Sequence, residues 1–337
     1  MQADEDPIAH GGDLDEARAL FPLAPQPWVD LSTGVNPVPY PLPPIPPEAW
    51  SRLPSPGSLA GLEGAAARAY GAADASMVVA APGTGALIAL LPTLLPRPAR
   101  VAILGPTYAE HARAWAACGH EVRETGEVVP LNGSEVAILV NPDNPTGRRL
   151  GVDALLGLAR AATRRDGLLV VDEAFADMFD EPASLVQRLT DERVVVLRSF
   201  GKAYGLAGLR LGFAVAPSAI AARLRTGLGP WAVSGPAIEV GTVALRDEAW
   251  LGSARRRLAL DAERLDRLLI GAGCVIVGGT PLFRLAEHRD ARALFDRLGR
   301  AGIWTRRFSQ RPGWLRLGLP GSDAAWARLP EALGACG

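Results

Sequence analysis

Residues 136–147 read Val136-Ala137-Ile138-Leu139-Val140-Asn141-Pro142-Asp143-Asn144-Pro145-Thr146-Gly147, and the architecture follows from this stretch. The first five form an uninterrupted apolar run rich in β-branched side chains, the pattern of a strand buried on both faces. The next seven hold two Asn-Pro pairs and a glycine, so the strand stops in a rigid turn. A strand covered on both faces needs helices above and below it, as in the parallel sheet of an α/β protein.

Runs of the same kind recur on either side. They are Met77–Ala80, Val101–Leu104, Leu168–Val171, Val194–Leu197 and Leu211–Val215, and the spacing predicts helices over 84–95, 108–118 and 152–165 between them. The expected fold is therefore α/β, a mostly parallel sheet flanked by helices. A long helical pattern over 234–271 leads out of it. Strands near 275–277, 282–286 and 314–318, with helices near 290–301 and 323–334, predict a smaller α+β domain. Before the sheet, seven prolines between Pro37 and Pro47 forbid a helix interior and disfavour a central strand, so the beginning of the chain reads as an extended arm. The expected organisation is an arm over 1–50, a large domain over 51–230 and a small domain over 231–337.

Composition narrows the function. The 337 residues are 48% apolar and 21% charged with a formal net charge of -1, which predicts no partner among nucleic acids or anionic membranes. Cys118, Cys274 and Cys336 stand far apart, with no CxxC pair, and fit a reduced cytoplasm better than a disulfide or metal framework. The acidic Met1–Asp6 lacks the form of a secretory leader, and prolines and glycines interrupt the apolar stretch 77–95, so no membrane span is expected. Of 35 basic residues one alone is lysine, Lys202. Arginine keeps its proton and is no amine nucleophile, whereas lysine forms Schiff bases with aldehydes. A chain that writes every other cation as arginine points to carbonyl chemistry at Lys202.

The residues that follow the strands fit that chemistry, because ligands of a parallel sheet bind at the strand carboxyl ends. After the first strand comes Pro82-Gly83-Thr84-Gly85-Ala86-Leu87, where glycine lets backbone N–H groups approach an anion; Ile88 excludes a dinucleotide fingerprint. Asp172-Glu173-Ala174-Phe175 places an acid at the end of a buried strand, where it needs a partner such as a protonated pyridine nitrogen. Arg198-Ser199-Phe200-Gly201-Lys202 and Gly205-Leu206-Ala207-Gly208-Leu209-Arg210 surround the lysine with a hydroxyl and a guanidinium able to hold a phosphate.

In this order the heptapeptide 141–147 and the Ser-x-x-Lys-x7-Arg spacing resemble the fold type I pyridoxal-phosphate enzymes of the aminotransferase class I/II superfamily, over roughly residues 30–318. The resemblance implies that Lys202 forms the Schiff base with pyridoxal 5'-phosphate and moves protons, and that Asp172 keeps the pyridine nitrogen protonated. It further implies that Asn144 bonds the ring hydroxyl, that Gly83, Thr84, Ser199 and Arg210 hold the phosphate, and that Tyr108 stacks on the ring. Arg316 matches the arginine for a substrate carboxylate. Two residues depart from the common pattern. Phe175 stands where members often have tyrosine, and Leu53, in Arg52-Leu53-Pro54, stands where many have a tyrosine reaching the neighbouring subunit's phosphate.

Within the superfamily, His10-Gly11-Gly12, Asp30–Pro37 and Pro230-Trp231-Ala232-Val233-Ser234 resemble the threonine-phosphate decarboxylases of cobalamin biosynthesis. That implies a small phosphorylated amino acid as substrate, with His10, Gly34, Asn36, Arg306 and Arg316 around it, no metal, and a cytoplasmic homodimer. The expected reaction is decarboxylation of O-phospho-L-threonine to 1-aminopropan-2-yl phosphate. Two alternatives stay open at this point: a histidinol-phosphate aminotransferase, and a non-catalytic partner protein of the same fold.

Overall fold

A computed structural model describes residues 11–95, 97–180, 184–189 and 192–334. The chain begins with α1 (Leu14–Leu20) and β1 (Val29–Asp30) and continues through α2 (Pro47–Ser51), α3 (Pro56–Tyr70), β2 (Val78–Ala81) and α4 (Thr84–Leu90). Next come β3 (Arg100–Leu104), α5 (Glu110–Ala117), β4 (Glu121–Thr125), β5 (Val136–Val140), α6 (Val152–Thr163), β6 (Leu168–Asp172), β7 (Val194–Ser199), α7 (Phe200–Ala203) and β8 (Gly212–Val215). Three helices follow, α8 (Ser218–Leu228), α9 (Gly235–Ala244) and α10 (Glu248–Gly271). The chain ends with β9 (Val275–Thr280), β10 (Phe283–Glu287), α11 (Ala291–Arg300), β11 (Ile303–Trp304), β12 (Arg306–Arg307), β13 (Trp314–Gly318) and α12 (Asp323–Leu333).

The chain divides into two compact units, residues 38–257 and residues 1–37 with 258–337. These boundaries fall at 37/38 and 257/258, where the sequence pattern places them at 50/51 and 230/231.

The unit 38–257 holds a seven-stranded sheet in the order β2-β8-β7-β6-β5-β3-β4. All neighbours pair in parallel except β8, which runs against both β2 and β7. Every residue of β2, β5, β6, β7 and β8 is buried. Each buried Val, Leu or Ile contributes about 1.5–3 kcal/mol of apolar burial, so these runs form the core of the unit. Two consequences follow for the site. The carboxyl ends of β2, β7, β6, β5 and β3 share one edge of the sheet, and the amino end of β8 lies on that same edge. The outermost strand, β4, is largely exposed and carries charged residues, and its weak apolar pattern hides it in the sequence.

Two further elements depart from expectation for physical reasons. The pattern over 234–271 is two helices, because the Asp247 Oδ1 caps the second one by accepting from Trp250 N at 2.9 Å. The proline run ends in a helix, α2, with Pro47 in its first turn, the one helical position that tolerates proline.

The unit 1–37 with 258–337 contains a four-stranded antiparallel sheet, β12-β13-β10-β9, with α11 and α12, and a two-stranded parallel pair of β1 with β11. Its amino-terminal part is more than an extended arm. Asp13 caps α1 by accepting from Asp15 N and Glu16 N, and Phe21 packs on Phe295 with ring centroids 5.8 Å apart. Among the described residues no helix is long and apolar enough to cross a membrane, and no group of His, Cys, Asp and Glu is placed to hold a metal ion.

Candidate active site

Two rows of register across the sheet build the site of the unit 38–257. In the first, Ala81, Gly212 and Ser199 lie side by side on β2, β8 and β7. A Cβ on Gly212 would sit 2.6 Å from the Thr84 backbone nitrogen, so the glycine lets the start of α4 come down onto the sheet edge. Gly83, just before that helix, has φ +88, and a Cβ there would lie 2.8 Å from Nη2 of Arg210. The Ser199 hydroxyl makes no capping bond to α7, and no side chain caps α4. Gly83, Thr84, Ser199 and Arg210 are thus brought together, with two hydroxyls and a guanidinium around a backbone stripped of side chains. This donor set fits a phosphate. Gly83→Ala meets both the positive φ and the Arg210 guanidinium, and its expected cost of about 1–3 kcal/mol corresponds to a loss of pyridoxal phosphate affinity of about 5- to 150-fold. Fluorescence titration of the cofactor-free protein measures it; unchanged affinity refutes it.

In the second row, Val140, Asp172 and Leu197 are neighbours on β5, β6 and β7. Asp172 is 3% exposed, its Oδ1 accepts from Ala174 N at 3.1 Å, and its Oδ2 lies 3.0 Å from His111 Nε2. His111 Nδ1 has no partner among the described residues, which assigns the bonding proton to Nε2. A carboxylate offers about four acceptor positions, so Asp172 can accept one more donor, as a protonated ring nitrogen would be.

The loops after β5 and β3 are locked to each other. Asp143 is fully buried, and it accepts from the Thr107 hydroxyl at 2.6 Å and the Thr146 hydroxyl at 2.5 Å. Arg148 donates to the Gly105 carbonyl at 3.3 Å, and Asn141 and Leu150 exchange two hydrogen bonds of 3.2 and 2.7 Å. Burial raises the Asp143 carboxyl above its usual range, while the two threonine hydroxyls oppose the shift. Asn144 and Tyr108, expected on the ring hydroxyl and the ring face, sit in these two joined loops. Tyr108 is half-buried, with its ring edge-on to His111 at 6.2 Å.

Lys202 projects from α7 and is half-buried, with Nζ 5.8 Å from the centre of the Phe175 ring. Phe175 itself is buried. Beside the site, chain alternation turns Glu173 and Arg198 to one place, where Arg198 Nη1 donates to Glu173 Oε2 at 2.7 Å and Nη2 donates to Asp177 Oδ1. All three are fully or almost fully buried, and the guanidinium lies 4.5 Å from the centre of the Tyr70 ring. Burial pushes the Glu173 carboxyl up, with Arg198 opposing.

The residues expected on the substrate lie in the other unit. Arg306 and Arg316 are register partners on β12 and β13. Arg316 is 3% exposed, donates from Nη2 to the Ser32 carbonyl at 2.6 Å and lies 5.1 Å from the centre of the Phe283 ring. Burial, reinforced by the Arg306 guanidinium and opposed by Asp30, lowers the Arg316 pKa to about 9. Two neighbouring cations, one of them buried, favour an arriving anion. Arg307 lies against the Phe295 ring, 4.1 Å from its centre. Gly34 and Asn36 are buried, and His10 lies outside the described residues.

Sequence reasoning missed His111. Its signal was present: His111 and Trp115, four apart, are the buried pair of α5, three residues beyond Tyr108. A histidine on the buried face of a helix needs a polar partner, and here that partner is Asp172 at the end of β6.

Comparison with known proteins adds four findings. Residues 48–333 match the family described as aminotransferase class I and II. The chain is 43% identical over 331 residues to a threonine-phosphate decarboxylase of a Sinorhizobium species, covering 97% of this chain and 98% of the relative. It is 46% identical over 330 residues to the threonine-phosphate decarboxylase of Pseudomonas aeruginosa, covering 97% of each. Among solved structures it is similar to a histidinol-phosphate aminotransferase from Sinorhizobium meliloti in complex with pyridoxal-5'-phosphate, with a TM-score of 0.72, 24% identity and 83% of each chain covered.

Proposed function

The chain belongs to the aminotransferase class I and II family, and from that premise we propose that it decarboxylates O-phospho-L-threonine with pyridoxal 5'-phosphate as cofactor. One observation carries the choice of reaction: identity of 43–46% along nearly the whole length to threonine-phosphate decarboxylases. The site geometry supports the cofactor. When bound, pyridoxal phosphate supplies an aldehyde for an amine and a ring that takes up the electron pair released at Cα.

The chain's own residues do the rest in this reading. Gly83, Thr84, Ser199 and Arg210 hold the phosphate. Asp172, steadied by His111, accepts a hydrogen bond from the ring nitrogen and keeps it protonated. Asn144 takes the ring hydroxyl without help from a tyrosine at 175, and Tyr108 covers the ring. Lys202 attaches the cofactor and carries a proton to Cα after the Cα–carboxylate bond breaks and carbon dioxide leaves. Arg316 and Arg306 meet the two anionic groups of the substrate, with Gly34, Asn36 and His10 beside them. How these arginines orient the substrate decides which Cα bond breaks.

The same reading includes a homodimer, supported by Trp50, Leu53 and Trp231, which are 68%, 68% and 57% exposed and line one groove with Gly208 and Leu209. It places the enzyme in the cytoplasm and its product in cobalamin biosynthesis, as the resemblance implies. The test is an assay for carbon dioxide from O-phospho-L-threonine, run beside an assay for 2-oxoglutarate-dependent turnover of histidinol phosphate. Carbon dioxide formed one-to-one with 1-aminopropan-2-yl phosphate supports the decarboxylase. Turnover that needs 2-oxoglutarate and releases no carbon dioxide overturns it.

A further inference from the structure

The turn that carries Lys202 is gripped from behind by a column of rings. Phe200 and Tyr204, four residues apart, stack at 4.3 Å and 9°, and Trp250 from α10 continues the stack on Tyr204 at 5.7 Å and 9°. Tyr40 closes the column edge-on, 6.1 Å from Tyr204 and 5.1 Å from Trp250. Its backbone N–H donates to the Tyr204 carbonyl at 2.8 Å, and its hydroxyl donates to Asp247 Oδ2 at 3.1 Å. Asp247 is the residue that caps α10 through Trp250 N, so one carboxylate ties Tyr40 and Trp250 together.

Helix geometry gives the column its meaning. Residues four apart share a face, whereas a residue two along points to the other side. Phe200 and Tyr204 therefore occupy the face opposite Lys202. Phe200, Gly201, Ala203 and Tyr204 are all buried, while Lys202 between them is only half-buried. Gly201 leaves no slack, because a Cβ there would lie 2.8 Å from the Ala207 Cα. The Tyr204 phenol is held neutral by burial and by the Asp177 carboxylate, which together raise its pKa, so it sits in the stack as an uncharged ring.

We propose that Tyr204 is a positioning residue, whose ring, clamped between Phe200 and Trp250 and hydrogen-bonded through its carbonyl to Tyr40, fixes where the Lys202 amine stands. The inference rests on the reading of Lys202 as the cofactor-bearing lysine. It assigns the effect to the ring and leaves the hydroxyl dispensable.

The test compares holoenzymes of the wild type, Tyr204→Phe, Tyr204→Ala and Trp250→Ala. Three quantities are read: the pH titration of the Lys202–cofactor Schiff-base absorbance, amide hydrogen exchange over 200–205, and kcat and KM for O-phospho-L-threonine. Tyr204→Phe is expected within about twofold of wild type throughout. Tyr204→Ala is expected to lower kcat about 10- to 100-fold with KM within about threefold, to move the titration midpoint by about one pH unit, and to speed exchange across the turn. Trp250→Ala, which leaves the turn's own sequence intact, shifts the same readouts in the same direction and serves if Tyr204→Ala does not fold. Titration and kcat within twofold of wild type in Tyr204→Ala, or in Trp250→Ala should it be the one that folds, overturn the proposal. So does a Tyr204→Phe variant as impaired as Tyr204→Ala. A wild-type protein with no Schiff-base absorbance defeats the underlying reading itself, and is told apart by appearing before any substitution is made.

Discussion

Lys202→Arg lowers kcat for O-phospho-L-threonine by at least about 10^4-fold, because it removes both the amine that bonds the cofactor and the group that moves protons at Cα. Arginine keeps the positive charge and much of the length, so the loss isolates amine chemistry from electrostatics. No other lysine side chain exists to take over, since every other basic residue is arginine. The cradle proposed for the phosphate, Gly83, Thr84, Ser199 and Arg210, does not include residue 202 and is left in place by the substitution. Cofactor therefore still binds, more weakly, and the Schiff-base absorbance disappears. Borohydride reduction followed by peptide mass spectrometry checks the assignment directly. The wild type must carry the reduced cofactor on the peptide containing Lys202, and the arginine variant must carry none there. Substantial carbon dioxide release by Lys202→Arg would sink the role given to this residue.

Asp172→Asn is expected to cost about 10^2- to 10^3-fold in kcat, the range for removing one preorganised charge from a reacting centre. The amide is nearly isosteric, and its oxygen can still accept from Ala174 N, while its NH2 takes the place of the oxygen that faces His111 Nε2. What it lacks is the negative charge that keeps a ring nitrogen protonated next to it. The carboxylate is 3% exposed, so water cannot substitute for the missing charge. KM should change far less than kcat, because in the proposed arrangement Asp172 meets the cofactor and not the substrate. A variant whose kcat stays within a few-fold of wild type would show that the ring proton is held by something else.

Much of the large unit was legible because burial on both faces leaves an unmistakable trace. The runs at 136–140, 168–171 and 194–197 are observed within two residues of expectation. Their polar ends, Asn141, Asp172 and Ser199, stood out against the apolar background. Four things were hidden. The edge strand β4 pairs on one side only and carries Glu121, Arg123 and Glu124, so hydropathy does not announce it. Helix α1 lies ahead of the proline run in a stretch that looked unstructured as a whole, though Asp13 is a good cap. His111 belongs to a contact between a helix and a strand 61 residues further along, so the helical pattern marks it as a buried polar residue without saying which partner it meets. The antiparallel direction of β8 was equally invisible, because a buried strand reads the same in either direction.

That reversed strand explains why one spacing in the sequence is so restrictive. Ser199 and Gly212 are register partners, so the segment between them leaves the sheet and returns to the adjacent position. It is a hoop pinned at both feet, with the amine near one foot and the guanidinium of Arg210 near the other. Inserting or deleting one residue inside it cannot be absorbed by sliding a strand, since slipping β8 by one residue would turn its buried side chains to the opposite face. In the proposed site the distance between Lys202 and Arg210 along the chain is thereby a ruler for the distance between the two ends of the cofactor. A motif of fixed length is what such a hoop becomes when it is unrolled into one dimension.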